Sequence, residues 1–379
     1  MDEAAALAAV ERAEREPLLG HRIAPVRAAI DAAAALLDRV PVPALRARVM
    51  LRLASVKLAE QDYEGADQAL EAAGRHVPDN VELRFLAGVR ACRVALRRGA
   101  EPRRVARETL LAVAERLDAF ETTGPVWDAV TIEVALAIAE LALHDEEPDP
   151  TAFEPIAAIT IRFATDPHHV DVVFAGDQLV AAFAIQTADP ERAARALRNA
   201  VRSAKAVGSA RDEIESRIAL ASILAAVGTP IALEEATRTA QLARERALEH
   251  QLADLAGATL IAQAGVLAAN GKTATAIDRV LELAELAVAN RDVRQYVAAV
   301  AIMAELYAKT GDYVSAFRTI AESHRALADA TKSDSTEYFR PLLARLRDQI
   351  GPERLDKIAA DVAKANELAA QIAPRGSFA

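Results

Sequence analysis

One phrase recurs about every 40 residues along this chain, and it limits the fold more than any other feature. A turn rich in Gly, Asn or Asp is followed by an alanine, and an apolar residue comes four places later. The clearest copies are Gln61-Asp62-Tyr63-Glu64-Gly65-Ala66 with Leu70, and Thr310-Gly311-Asp312-Tyr313-Val314-Ser315-Ala316 with Ile320. Weaker copies place Ala106 before Leu110, Ala193 before Leu197, Ala236 before Ala240 and Ala276 before Val280. Alanines 66 and 106 are 40 apart, as are 236, 276 and 316. A period of this length means stacked supersecondary units, each burying its apolar face against the next.

The unit is helical. Apolar residues fall at helical spacing nearly everywhere, and strand signals are almost absent. Alanine is about a quarter of the chain and aromatics are 4%. Ala is the strongest helix former, and its small side chain lets two helices approach closely. Arg48 to Ala59 reads as one helix. Ala66 to Ala73 lies on a second, which ends at His76-Val77-Pro78 because proline cannot continue it.

On these residues the chain resembles the tetratricopeptide repeat family. Counted from Ala47, the positions Ala54, Asp62-Tyr63, Ala66, Leu70 and Pro78 match that motif. Ala304, Tyr307, Gly311-Asp312-Tyr313, Ala316 and Ile320 match it a second time without the proline. The likeness runs from about residue 20 to about 330, with repeats longer than the usual 34 residues, as in the arrays of some bacterial transcription regulators. It implies an all-α fold, a right-handed superhelix of about eight helical hairpins. The first helix of each hairpin would line a concave groove that binds a peptide or protein segment.

The expected organisation is a capping helix over residues 1–20, a repeat array over 21–332 and C-terminal capping helices with a tail over 333–379. Residues Thr336 to Ile350 and Pro352 to Ile372 read as the last two helices, split by Gly351-Pro352. The alanine spacing is 87 between Ala106 and Ala193. The charged stretch 144–150 accounts for the excess, either as a lobe break or as a plain loop insertion.

Charge is the feature with functional content. Eight arginines lie between Val81 and Ala114, opposed by three glutamates, whereas Glu115 to Asp189 holds fifteen acids against Arg116 and Arg162. Arg90, Arg93 and Arg97 share one helix face at i, i+3 and i+7. Arg48 and Arg52 on the preceding first helix extend the stripe. These five arginines are the candidate binding residues. Left free, they would hold an acidic segment. Otherwise they form a solvated face or pair with the acidic third of the chain.

Other classes find little support. A net charge of -10 argues against nucleic acid as a partner. The single Cys92 excludes an internal disulfide and a cysteine zinc site. The longest uncharged run, Leu255 to Gly271, is too short to span a bilayer. The N-terminus lacks the basic start of a secretory signal, so a cytoplasmic location is expected. Gly271-Lys272-Thr273 lacks the spacing and preceding strand of a phosphate-binding loop. Asp166-Pro167-His168-His169-Val170-Asp171 reads as a turn rather than a metal site. No catalytic motif appears, so neither an enzyme, a cofactor nor a metal is expected. The alternative function is a ligand- or peptide-sensing regulatory module that acts on another protein.

Overall fold

The computed structural model describes residues 2–19, 23–77, 79–118, 125–166, 169–332 and 334–372. Pro78, His168 and the tail 374–379, all used in the sequence reading, lie outside them. The chain is all-α, with no strand among the described residues. It forms two compact units that divide between Ile223 and Leu224.

In the first unit, α1 (Asp2–Arg15) and α2 (Ile23–Leu37) make a hairpin. Next come α3 (Pro43–Ala59) with α4 (Tyr63–His76), and α5 (Val81–Arg98) with α6 (Ala100–Asp118). Then follow α7 (Pro125–Ala142), a short 3-10 turn (Pro150–Phe153) and α8 (Glu154–Arg162). The pair α9 (Val170–Gln186) and α10 (Pro190–Ala206) packs closely. The division falls within α11 (Ala210–Val227). The second unit continues with α12 (Pro230–Glu249), α13 (Ala253–Ala269), α14 (Thr273–Ala289), α15 (Val293–Lys309) and α16 (Tyr313–Thr331). It ends with α17 (Thr336–Ile350) and α18 (Pro352–Ile372). Within each unit helices pack on their neighbours in sequence, as in a solenoid.

The recurring alanine sits one to two turns into the second helix of a hairpin. Ala66, Ala193, Ala236, Ala276 and Ala316 are wholly buried, and Ala106 nearly so. A larger side chain there would push against the facing first helix. Ala276→Leu or Ala316→Leu should therefore cost about 1–3 kcal/mol, read by denaturant melting, and a neutral result at both would contradict this packing.

The turns explain the period. Residues 188, 208, 228, 251, 271, 291 and 311 are all left-handed, with φ between 55° and 81°. Their spacing is 20 apart except for one step of 23, where α12 is 20 residues long against 17 in α10 and α14. At all of these but 228, the next amide reaches back to the helix that the left-handed residue leaves. Examples are Asp189 N to Ala184 O at 2.7 Å and Asp312 N to Tyr307 O at 3.0 Å. In four turns that next residue is an aspartate that also caps the following helix. Asp62, Asp189, Asp292 and Asp312 accept bonds from the amides of Gly65, Arg192, Gln295 and Ser315 at 2.9–3.0 Å. A helix stop and a helix start thus occupy two residues. Ala188 adopts φ 55° despite its Cβ. Ala188→Gly should raise stability by about 0.5–1 kcal/mol, and a loss in the same melting assay would show that the left-handed strain is absent.

The helix α1 buries Ala6, Val10 and Ala13 and pairs with α2, so it supplies half of a hairpin. The segment 144–150 is not where the chain divides. It is tied to elements on both sides: Arg107 pairs with Asp145 at 2.6 Å, and Gln186 Nε2 donates to the Asp145 carbonyl at 3.1 Å. Phe153, just beyond, is wholly buried and stacks on Phe183 with ring centroids 4.1 Å apart. At the other end α17 packs on α15 and α16, and α18 packs on α16. Phe339 and Leu346 join Ala316 and Ile320 in one core. Ser335 Oγ donates to the His324 carbonyl at 3.0 Å, and the His324 ring meets Phe339 edge-on.

Candidate recognition groove

Hairpin stacking in the first unit sets α1, α3, α5, α7 and α9 side by side. Together they line one concavity of about 980 Å³. Its floor is apolar, with Leu51, Leu86, Ile132 and Leu136 buried and Val172 and Leu179 partly open. Small side chains at Ser55, Ala59 and Ala175 keep the space between the helices open.

A ladder of charge crosses this floor. Arg90 Nε lies 3.2 Å from Glu133 Oε1, and Arg93 Nη1 lies 2.5 Å from Glu133 Oε2. Arg93 Nε is 3.6 Å from Glu140, and Arg97 Nε is 2.7 Å from it. Arg48 holds Glu14 through two bonds, Nε at 2.8 Å and Nη2 at 2.5 Å. Burial by itself would push the Glu133 carboxyl up, but the guanidiniums of Arg93 and Arg90 outweigh it and hold the group at about 2. Glu140 is lowered in the same way against its own burial. Burial weakens Arg93's hold on its proton, and the charges of Glu133 and Glu140 more than restore it.

Arg52 is set differently. Burial lowers its affinity for the proton, and its nearest carboxylate, Asp171, stands 3.7 Å away. Its closer contacts are main-chain carbonyls, Ala13 O at 3.2 Å and Glu16 O at 2.5 Å. Asp171 Oδ2 in turn accepts a bond from the Leu18 amide at 3.2 Å. The connection after α1 therefore reaches from α3 to the start of α9. Leu18 and Leu19 both line the groove, and Leu19 is wholly buried.

All five arginines proposed from sequence, Arg48, Arg52, Arg90, Arg93 and Arg97, line this one surface. Of the alternatives left open by the sequence, pairing within the chain is the one seen at four of the five. Arg48, Arg90, Arg93 and Arg97 already face carboxylates of this chain, so an incoming acid would displace an existing counter-charge. Sequence reasoning named the acidic third as a source of partners but did not single out Glu133 and Glu140 within it, although a signal was present. Arg90 and Arg97 are seven apart, Glu133 and Glu140 are seven apart, and each pair is offset by 43 residues, close to one repeat. Two helices one repeat apart carry complementary stripes. The Arg52–Asp171 approach has no such signal.

The remaining motifs lie elsewhere. Gly271, at φ 73°, is the turn residue between α13 and α14. His169 Nδ1 pairs with Asp166 at 2.8 Å, and its ring stacks on Phe163. Cys92 is buried on α5. An unforeseen group is Asp177 on α9, 4% exposed. Asn199 Nδ2 donates to its Oδ1 at 3.3 Å, and its Oδ2 has no partner. Burial pushes this carboxyl up to about 7, against the weaker pulls of Asn199 and Arg202. No described helix is long and apolar enough to cross a membrane.

The chain is similar in fold to about half of one solved structure. That crystal structure is of a STAND protein (signal transduction ATPase with numerous domains) with a tetratricopeptide repeat sensor, from Pyrococcus horikoshii. The TM-score is 0.58 at 12% sequence identity, and the match covers 84% of this chain and 47% of that one. This chain thus spans about half the length of that relative. No protein-family model matches the sequence, and no curated protein does either.

Proposed function

We propose that the protein is a non-catalytic, cytoplasmic interaction scaffold that binds a short peptide or protein segment in the groove of residues 1–223. The observation that carries this is the groove itself: an apolar floor beneath a set of fixed, mutually paired charges. Such a surface suits a segment with apolar anchors, because fixed ion pairs orient polar groups without demanding a particular net charge. The paired carboxylates do not suit proton transfer near neutrality, since Glu133 stays ionised to about pH 2.

The test is selection of random peptides on the whole protein, with a counter-screen on Ala175→Trp, which fills the groove. Bound peptides should lose at least tenfold in affinity on the filled variant and change little between low and high salt. Equal binding to both proteins would overturn the assignment. A steep loss with salt would return the acidic-segment reading.

A second reading has its own support. Leu18 and Leu19 wall one side of the groove, and a partly walled cavity of about 980 Å³ suits a compact ligand. The structural relative carries a repeat-built sensor. A sensing module would show a thermal shift with a small metabolite that Ala175→Trp abolishes.

A further inference from the structure

We propose that the segment Glu16-Pro17-Leu18-Leu19 is a built-in occupant of the groove, held by a main-chain clasp, which an external segment must displace. This rests on the groove being the recognition surface. Three observations carry it. Arg52 Nη2 binds the Glu16 carbonyl, and Asp171 Oδ2 takes the Leu18 amide, so the segment is held by its backbone much as a peptide ligand would be. Leu19 is wholly buried while lining the same cavity as Leu51 and Leu86, so an aliphatic side chain of this segment already fills part of the apolar space. The two side chains of the clasp also stand apart from each other, so each is committed to the segment's backbone. Arg52 and Asp171 are 3.7 Å apart, whereas the closest contacts of the ladder are 2.5–3.2 Å.

The clasp joins residues 153 apart in sequence, from the connection after α1 to the start of α9. Opening it requires only that a short connection leave, with α3, α5 and α7 staying in place. The occupant indicates what replaces it: an extended segment with adjacent aliphatic side chains, one amide free for Asp171 and one carbonyl free for Arg52. Binding of that segment and release of the strap are then one equilibrium.

The test needs no natural ligand. Ser55 lines the groove on α3 and is half-buried, and the single native thiol, Cys92, is buried with its pKa pushed up by that burial. A maleimide therefore reports on Ser55→Cys with little background. Asp171→Ala or Leu19→Ser, each added to Ser55→Cys, should raise the labelling rate at least tenfold. The same changes without Ser55→Cys should leave Cys92 unreactive. A synthetic peptide with the sequence of residues 11–19, added in trans to the Leu19→Ser form, should slow the labelling again. Unchanged labelling in both variants, or no protection by the peptide, would overturn the proposal. If a variant exposes Cys92, the unmodified protein decides through hydrogen exchange. A displaceable strap requires the Leu18 amide to exchange at least a hundredfold faster than the buried amides of α3, and equal rates would mark a static brace. Failure of the peptide selection above would leave these readouts unaffected, so the two ideas fail separately.

Discussion

Glu133→Gln should destabilise the first unit by about 3–5 kcal/mol, the size expected when one member of a buried ion-pair network is removed. Among the described residues Glu133 is the only carboxylate that Arg90 faces within 4 Å and the nearest one to Arg93, and all three side chains are less than a fifth exposed. Gln keeps the volume and an acceptor but leaves Arg90 with no carboxylate within 4 Å and Arg93 with Glu140, which Arg97 already shares. Thermal or denaturant melting reads the loss, and a change below about 1 kcal/mol would mean the ladder is effectively solvated. Adding Arg93→Met to Glu133→Gln should recover part of the loss, because one uncompensated charge goes with it. The same carboxylate sets an acid limit. Its folded value of about 2 lies below the unfolded range, so its contribution is complete above about pH 4.3 and disappears as the pH falls towards 2.

Asp177→Asn should act in the opposite direction. The acid is buried with Oδ2 unpartnered, and its folded value of about 7 lies above the unfolded value of about 3.9. The folded chain therefore holds a proton that the unfolded chain releases, and stability is lost as the pH rises from about 4 to 7. Removing the ionisable group should add about 2–4 kcal/mol at pH 8 and little at pH 4. Melting curves of both proteins across that range are the measurement. Equal gains at both ends would assign the effect to packing rather than to charge.

Local physics made much of the fold legible in the sequence. Alanine at the hairpin crossing, aspartate at the cap and proline at the helix start act within a few residues, so Thr336–Ile350 and Pro352–Ile372 emerge from sequence with the bounds the structure has. The left-handed turn residues were hidden, because Gln61, Ala188, Gln251 and Arg291 adopt a conformation their identities do not announce. The groove was legible in part. Helical periodicity places Arg90, Arg93 and Arg97 on one face, but which face meets which carboxylate depends on helix packing one repeat away. Asp177 gave no sign at all, since a lone aspartate among many becomes unusual only once α10 covers it.

The clasp between Leu18 and Asp171 also has a consequence for synthesis. Most contacts here join neighbouring helices, so hairpins can settle as they leave the ribosome. The groove is the exception, because its closing contact waits for 153 further residues. At about 5–20 residues per second that is a delay of about 8–30 s. During that interval Leu18 and Leu19 have neither Asp171 nor the α9 wall to cover them. For that time the nascent chain presents an adjacent pair of aliphatic side chains of the kind that chaperones bind.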